Sequence, residues 1–80
     1  MKTQEALAWI AEVFEYPPER ITAATMREEI PGWDSLGTLS LIAAVDERLD
    51  IHLTQKDIEG MKAVSDILEI LRRNGSLEDA

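Results

Sequence analysis

A turn that runs straight into the most apolar stretch of the chain limits most strongly what this sequence can fold into. Pro31-Gly32 is a turn signal, Asp34 and Ser35 offer two good N-cap side chains, and Leu36, Leu39, Leu41, Ile42, Ala43, Ala44, Val45 and Leu49 follow at once. A helix over residues 35–49 is expected. Its apolar residues cover more than half of the circumference, which makes it a central helix in contact with all its neighbours. The first amides of such a helix lack intrahelical partners and its dipole is positive there, so a phosphate attached at the Ser35 hydroxyl would be well placed. Local chemistry also allows Ser35 to be a cap and nothing more.

The flanking segments read as helices too. Ala6, Leu7, Ile10, Val13 and Phe14 recur at spacings of three and four, which predicts a first helix over 3–16, stopped by Pro17-Pro18. Trp9 lies beside that stripe. Residues 18–33 hold no period, and Ile21, Met26 and Ile30 stand as isolated apolar anchors in a long ordered loop with a short turn around 23–29. Asp50 ends the helix that follows, and Thr54 with Asp57 matches a capping box opening a short helix over 55–61, with Ile58 and Met61 facing in and Gly60 weakening its end. Val64, Ile67, Leu68, Ile70 and Leu71 form a last helical stripe, closed by Arg72-Arg73 and a left-handed Asn74-Gly75 cap. The expected fold is all-α: a four-helix bundle of three long helices and one short third helix, with the long loop between the first and second. One domain spans 1–80, with an ordered core over 3–74 and a frayed tail over 76–80.

Composition then removes whole classes of function. Sixteen acidic against eight basic side chains give a net charge of −8, which argues against nucleic acid, since phosphate-backbone binding needs clustered Lys and Arg. Basic partners suit it better. With four aromatic residues among 80, the core is expected to be aliphatic. Cysteine is absent, which removes disulfides, a cysteine nucleophile and thiolate metal sites. No signal-peptide core and no run of ~18 apolar residues appears, so a cytoplasmic protein without membrane insertion is expected. Catalysis by the chain itself is not expected. His52 is the only histidine and has no local partner, and Asp46, Glu47 and Asp50 lack the alternation of a calcium loop.

Taken together, the tripeptide Asp34-Ser35-Leu36 and the order of the helices around it resemble an acyl carrier protein, and the resemblance covers nearly the whole chain. It implies that Ser35 carries 4'-phosphopantetheine transferred from coenzyme A, flanked by Asp34 and Leu36. A phosphopantetheinyl transferase using magnesium would do this, with the activating base on that enzyme. The arm's thiol then carries an acyl group as a thioester, supplying the sulfur the chain lacks. In the family the acyl chain folds back between the second and third helices, which implies a pocket of Leu39, Ile42, Val45, Ile58, Met61 and Ile67. Those six also serve as plain core.

Departures from the family bear on partners. Fatty-acid carriers present acidic residues on the first turns of the second helix to basic patches of their enzymes, and Gly37 and Ser40 stand at two such positions here. Asp46 and Glu47 keep acidity further along. Leu36, Gly37, Ser40, Asp46 and Glu47 are therefore the expected partner contacts, with acyl-loading and acyl-processing enzymes of a dedicated fatty-acid, polyketide or related pathway. Small residues at 37 and 40 leave the surface beside Ser35 open. Lys62-Ala63-Val64 lacks the hydroxyl cap the family often has before the last helix, which loosens its start. The leading expectation is a monomeric, stand-alone acyl carrier. The alternatives are an aminoacyl or peptidyl carrier, D-alanyl type included, or an unmodified helical interaction module.

Overall fold

The structure is a computed structural model and describes residues 1–78 of the 80. Four α-helices follow in order, α1 (Thr3–Val13), α2 (Ser35–Leu49), α3 (Gln55–Glu59) and α4 (Val64–Arg73), with one 3₁₀ turn at Arg27–Glu29 in the loop before α2. This is the expected four-helix bundle. Among the described residues there is no β-strand, and no helix is long and apolar enough to cross a membrane.

The first helix stops sooner than the prolines require. Glu15 adopts a left-handed conformation (φ 55°), its N–H donates to Glu12 O at 3.1 Å and the Tyr16 N–H donates to Ala11 O at 2.8 Å. That is a Schellman motif, which satisfies two end carbonyls before Pro17 is reached. The expected end at residue 16 is thus corrected to Val13. Helix α4 closes the same way with the residue foreseen: Gly75 has φ 75°, and the Ser76 N–H donates to Leu71 O at 2.8 Å. Helix α3 opens on the Thr54–Asp57 capping box, with Asp57 N to Thr54 Oγ1 at 3.1 Å and Thr54 N to Asp57 Oδ2 at 3.0 Å. It ends at Glu59 with Gly60 as its cap, two residues before the expected end.

The core differs from expectation in two ways. Helix α2 buries only Gly37, Leu41 and Val45, a single i, i+4, i+8 stripe, and leaves Leu36, Leu39 and Ala43 exposed. Helix α4, half of whose residues are buried, and Ala6, Ile10, Ala11 and Phe14 from α1 and its cap contribute more of the interior. Nor is the core purely aliphatic. Phe14 and Trp33 are both buried and stack with centroids 4.9 Å apart and planes at 15°. Few aromatics in a sequence do not mean few in the core, because each ring fills a large share of a small interior.

Backbone bonds tie the long loop to the start of α4. Arg27 N donates to Lys62 O at 2.9 Å, Val64 N to Thr25 O at 2.9 Å and Ser65 N to Ala23 O at 2.9 Å. Ile21 and Ile30 are the buried anchors, whereas Met26 is exposed and holds through its backbone bridge to Ala63. These bonds also secure the start of α4. The first α4 amides, of Val64 and Ser65, are thus satisfied by loop carbonyls, and Asp66 Oδ2 accepts from Lys62 N at 2.8 Å and Ala63 N at 3.0 Å, so the start of α4 is hydrogen-bonded without the hydroxyl cap. At the chain ends, the Met1 ammonium donates to Ser76 O at 2.7 Å and Glu78 N donates to Met1 O at 2.9 Å, with Leu77 packed half-buried on the core. Residues 76–78 are therefore tied down where a frayed tail is expected, and residues 79 and 80 of that tail lie outside the described residues.

Candidate functional site

Two glycines fix where Ser35 stands. Gly32 lies against the carbonyl of Phe14 at the end of α1, and Gly37, in the first turn of α2, lies against the carbonyl of Gly32. A β-carbon at Gly37 would overlap the Gly32 carbonyl oxygen and come to 2.9 Å from its carbon; one at Gly32 would come to 3.1 Å from the Phe14 carbonyl carbon. Only residues without a side chain allow three backbone segments this close. The α1 end, the 30–33 turn and the α2 start are thereby stacked, and Ser35 follows directly. The turn itself is closed by Trp33 N donating to Ile30 O at 3.0 Å.

Capping is done by Asp34, not by Ser35. The Asp34 carboxylate accepts from Gly37 N at 2.8 Å, its carbonyl accepts from Thr38 N and Oγ1 at 2.8 Å each, and Ser35 is the first helical residue. The Ser35 side chain is exposed, and among the described residues its hydroxyl has no hydrogen-bond partner. A hydroxyl at this position is open to attack or modification from solvent, beside free amides and the positive end of a four-turn helix.

Ser35 sits between two cavities. One, of about 400 Å³, is lined by Arg27, Ser35, Thr38, Leu39, Ile42, Gln55 and Ile58 and lies open between α2 and α3. The other, of about 140 Å³, is lined by Val13, Phe14, Glu15, Gly32, Asp34, Leu36, Gly37 and Ser40. A third, of about 320 Å³, lies between α3 and α4 around the Asp57–Arg73 ion pair, away from Ser35.

The residues expected for an acyl pocket divide accordingly. Leu39, Ile42 and Ile58 line the larger cavity, whereas Val45, Met61 and Ile67 are buried in the core. The expected partner contacts divide as well. Leu36, 73% exposed, Ser40, Asp46 and Glu47 are presented to solvent. Gly37, also expected as a contact, is buried against the Gly32 carbonyl and lines the smaller cavity, and the close backbone approach is what the geometry requires of it. The first turn of α2 holds no acidic residue.

Sequence patterns gave no sign of two further features. Arg27, in the loop, extends its guanidinium over the Trp33 ring at 5.7 Å and donates from Nε to Trp33 O at 3.3 Å, which brings it to the edge of the Ser35 cavity. Its position depends on the loop's fold, and no periodicity marks it. His52, without a partner nearby in the sequence, lies with Nδ1 3.3 Å from Asp46 Oδ1, the left-handed Asp50 (φ 55°) ending α2 between them. Asp46, Asp50 and His52 bring ligand atoms within 4.8 Å of one another, all three exposed. The Asp46–His52 pair accounts for that cluster at the far end of α2.

The chain is of the small helical-bundle class, with an exposed serine at the start of α2 whose hydroxyl is unengaged, beside an open groove. Known proteins define the class further. The chain is 32% identical over 62 residues to an acyl carrier protein of Clostridium perfringens, covering 78% of this chain and 82% of that protein. It is 29% identical over 66 residues to one of Bdellovibrio bacteriovorus, covering 82% of this chain and 85% of that protein. It is also 32% identical over 62 residues to one of Saccharopolyspora erythraea, covering 76% of this chain but only 64% of that protein, just under two thirds of its length. No family model and no solved structure matches. The chain belongs to the acyl carrier protein family.

Proposed function

We propose that this chain is one carrier domain whose Ser35 bears 4'-phosphopantetheine, and that it shuttles acyl groups between the enzymes of a dedicated biosynthetic pathway. The observation that carries the proposal is the division of labour at the α2 terminus: Asp34 caps, and Ser35 is left exposed with its hydroxyl unengaged. The residues fit the arm. Ser35 Oγ would take the phosphate, the α2 amides and dipole favour the charge it brings, and the cavity of about 400 Å³ beginning at Ser35 gives the arm a surface to lie on. When attached, the arm supplies the thiol that this cysteine-free chain lacks and holds the acyl group as a thioester.

Attachment would form the Ser35 Oγ–P bond and break the diphosphate link of coenzyme A, releasing adenosine 3',5'-bisphosphate, with the hydroxyl proton passing to a base of the phosphopantetheinyl transferase. The chain's own contribution is positional. Gly32 and Gly37 stack the turn, Asp34 holds the first amides, and Ser35 is thereby presented at a rigid helix end instead of on a loose loop. Docking of the transferase and the acyl enzymes falls to the exposed Leu36, 73% exposed, and Leu39, 62% exposed, with Ser40 one turn on from Leu36 and Asp46 and Glu47 further along. Beyond the capping Asp34 the first turn of α2 has no acidic residue and presents the apolar Leu36 to partners, which supports partners other than the ordinary fatty-acid enzymes.

The test is intact mass after incubation with coenzyme A, magnesium and a broad-specificity phosphopantetheinyl transferase. Wild type gains one arm and Ser35→Ala gains none. No gain on wild type, or equal gain on the variant, overturns the proposal. The mass of protein isolated with its cargo then separates acyl from aminoacyl groups.

A further inference from the structure

The reading of Ser35 as the attachment serine leaves Arg27 unexplained. Among the described residues it is the one Lys or Arg that is not exposed, in a chain with twice as many acidic as basic side chains. The described ion pairs use Arg48, Arg72, Arg73, His52 and the N-terminal ammonium, and Arg27 is in none of them. Half-burying a guanidinium without a carboxylate costs solvation that a carbonyl and a ring face only partly restore.

Its environment is nonetheless ordered. Trp33, held by its stack on Phe14, supports the guanidinium 5.7 Å above its ring, and the Trp33 carbonyl takes the Nε proton at 3.3 Å. Those contacts use one edge and one face. The two terminal nitrogens have no hydrogen-bond partner among the described residues, Arg27 lines the cavity that Ser35 also lines, and Trp33 is only two residues ahead of Ser35. No acidic side chain lines that cavity. Nearby carboxylates are turned elsewhere: Glu29 Oε2 accepts from Met26 N at 2.7 Å, and Asp34 accepts from Gly37 N and lines the opposite cavity. The groove therefore carries a fixed, unpaired positive charge near the attachment hydroxyl.

We infer that Arg27 is a binding residue for an oxyanion on the group tethered at Ser35. The terminal nitrogens of a guanidinium present a planar fork that matches two oxygens of a phosphate or a carboxylate. A group carried at Ser35 offers two such anions, the phosphodiester at the point of attachment and a carboxylate on the acyl cargo. In either case Arg27 biases the arm to lie along the α2–α3 groove instead of extending into solvent. The inference rests on the modification proposed for Ser35.

The test follows the Arg27 Nε–Hε cross-peak in ¹H–¹⁵N spectra of the full chain, with Arg72 and Arg73 on α4 as internal controls, and the ³¹P resonance of the arm. Samples are apo protein, holo protein, and holo protein loaded with acetyl or with malonyl groups. A shift of the Arg27 signal from apo to holo, with a ³¹P resonance that moves in Arg27→Gln, assigns the phosphodiester. A shift that appears with malonyl and not with acetyl assigns the cargo carboxylate. An Arg27 signal that stays within the scatter of the α4 arginines in all four samples overturns the inference. The Arg27 Nε–Hε spectra need only wild-type protein, so a variant that fails to fold does not weaken them, and Arg27→Lys supplies a second ³¹P comparison that keeps the charge but loses the fork. If mass spectrometry finds no arm on Ser35, the modification itself fails, an outcome distinct from an attached arm that ignores Arg27.

Discussion

Replacing Gly37 by alanine sets helix propensity against packing, and the structure says which wins. In an ordinary helix interior the change gains about 1 kcal/mol. At Gly37 the added carbon overlaps the Gly32 carbonyl oxygen, stands 2.9 Å from its carbon and meets Phe14 Cδ1 at 3.4 Å. The obstacle is backbone, and the Gly32 turn has no room to retreat because its other side rests on the Phe14 carbonyl. Overpacking of this kind costs about 1–3 kcal/mol, and an obstacle that cannot relax belongs at the upper end. The net expectation is a loss of about 2 kcal/mol, which lowers the melting temperature of a domain this size by about 10 °C. The matched control is Gly60→Ala. Its new carbon would lie 3.4 Å from Lys56 O and 3.7 Å from Asp57 O, ordinary contact, at a φ of −83° that alanine accepts. That variant should gain about 0.4–1 kcal/mol. Thermal and urea unfolding followed by circular dichroism measure both. Gly37→Ala at least as stable as wild type would refute the close-approach account, and the position would then be free for a partner contact after all.

Leu36→Ala should leave unfolding free energy within about 0.5 kcal/mol of wild type, since the side chain is 73% exposed, while slowing modification of Ser35; parallel losses of fold and modification would instead make Leu36 part of the core. The Asp57 carboxyl is held below its ordinary pKa, chiefly by its backbone hydrogen bond with Thr54, which outweighs the opposing effect of burial, and further by the Thr54 hydroxyl and Arg73. A depressed acid stabilises the fold above its unfolded pKa and loses that contribution as pH falls through the folded value. The urea midpoint of wild type should therefore drop more steeply than that of Asp57→Asn on the acid side of the carboxylate range, and parallel acid limbs in the two proteins would contradict the assignment.

What could be read from the sequence was what neighbours in the chain decide. The Thr54–Asp57 box, the left-handed Gly75 and the start of α2 all depend on residues within one turn of each other, and all are found where the pattern puts them. The early end of α1 escaped because a glutamate in the left-handed region gives no composition signal, and Pro17-Pro18 offered a sufficient reason for a later stop. Gly37 was legible as a weak helix position but not as a necessary one, since the atom that forbids a side chain belongs to Gly32 and ultimately to the end of α1. Arg27 was one cation in a mixed loop until the loop's bridge to Lys62 and the Phe14–Trp33 stack gave it a place.

These long-range features bear on a single requirement of a carrier. An acceptor serine must be accessible to several enzymes in turn, yet its surroundings must not collapse onto it, and exposed helix ends fray easily. Here the rigidity is placed behind Ser35: two backbone-to-backbone approaches through Gly32 and Gly37, and an aromatic pair that fills the space beneath. Ahead of Ser35 the polypeptide offers only open cavity walls and the exposed Leu36 and Leu39. Capping by Asp34 links the two sides, because its carboxylate satisfies the Gly37 amide at 2.8 Å without using the serine. Had Ser35 been the cap, modifying its hydroxyl would have removed a helix-stabilising bond, roughly 1 kcal/mol, each time an arm was attached. With Asp34 in that position, an arm can be added at Ser35 without disturbing the bond that holds the helix end.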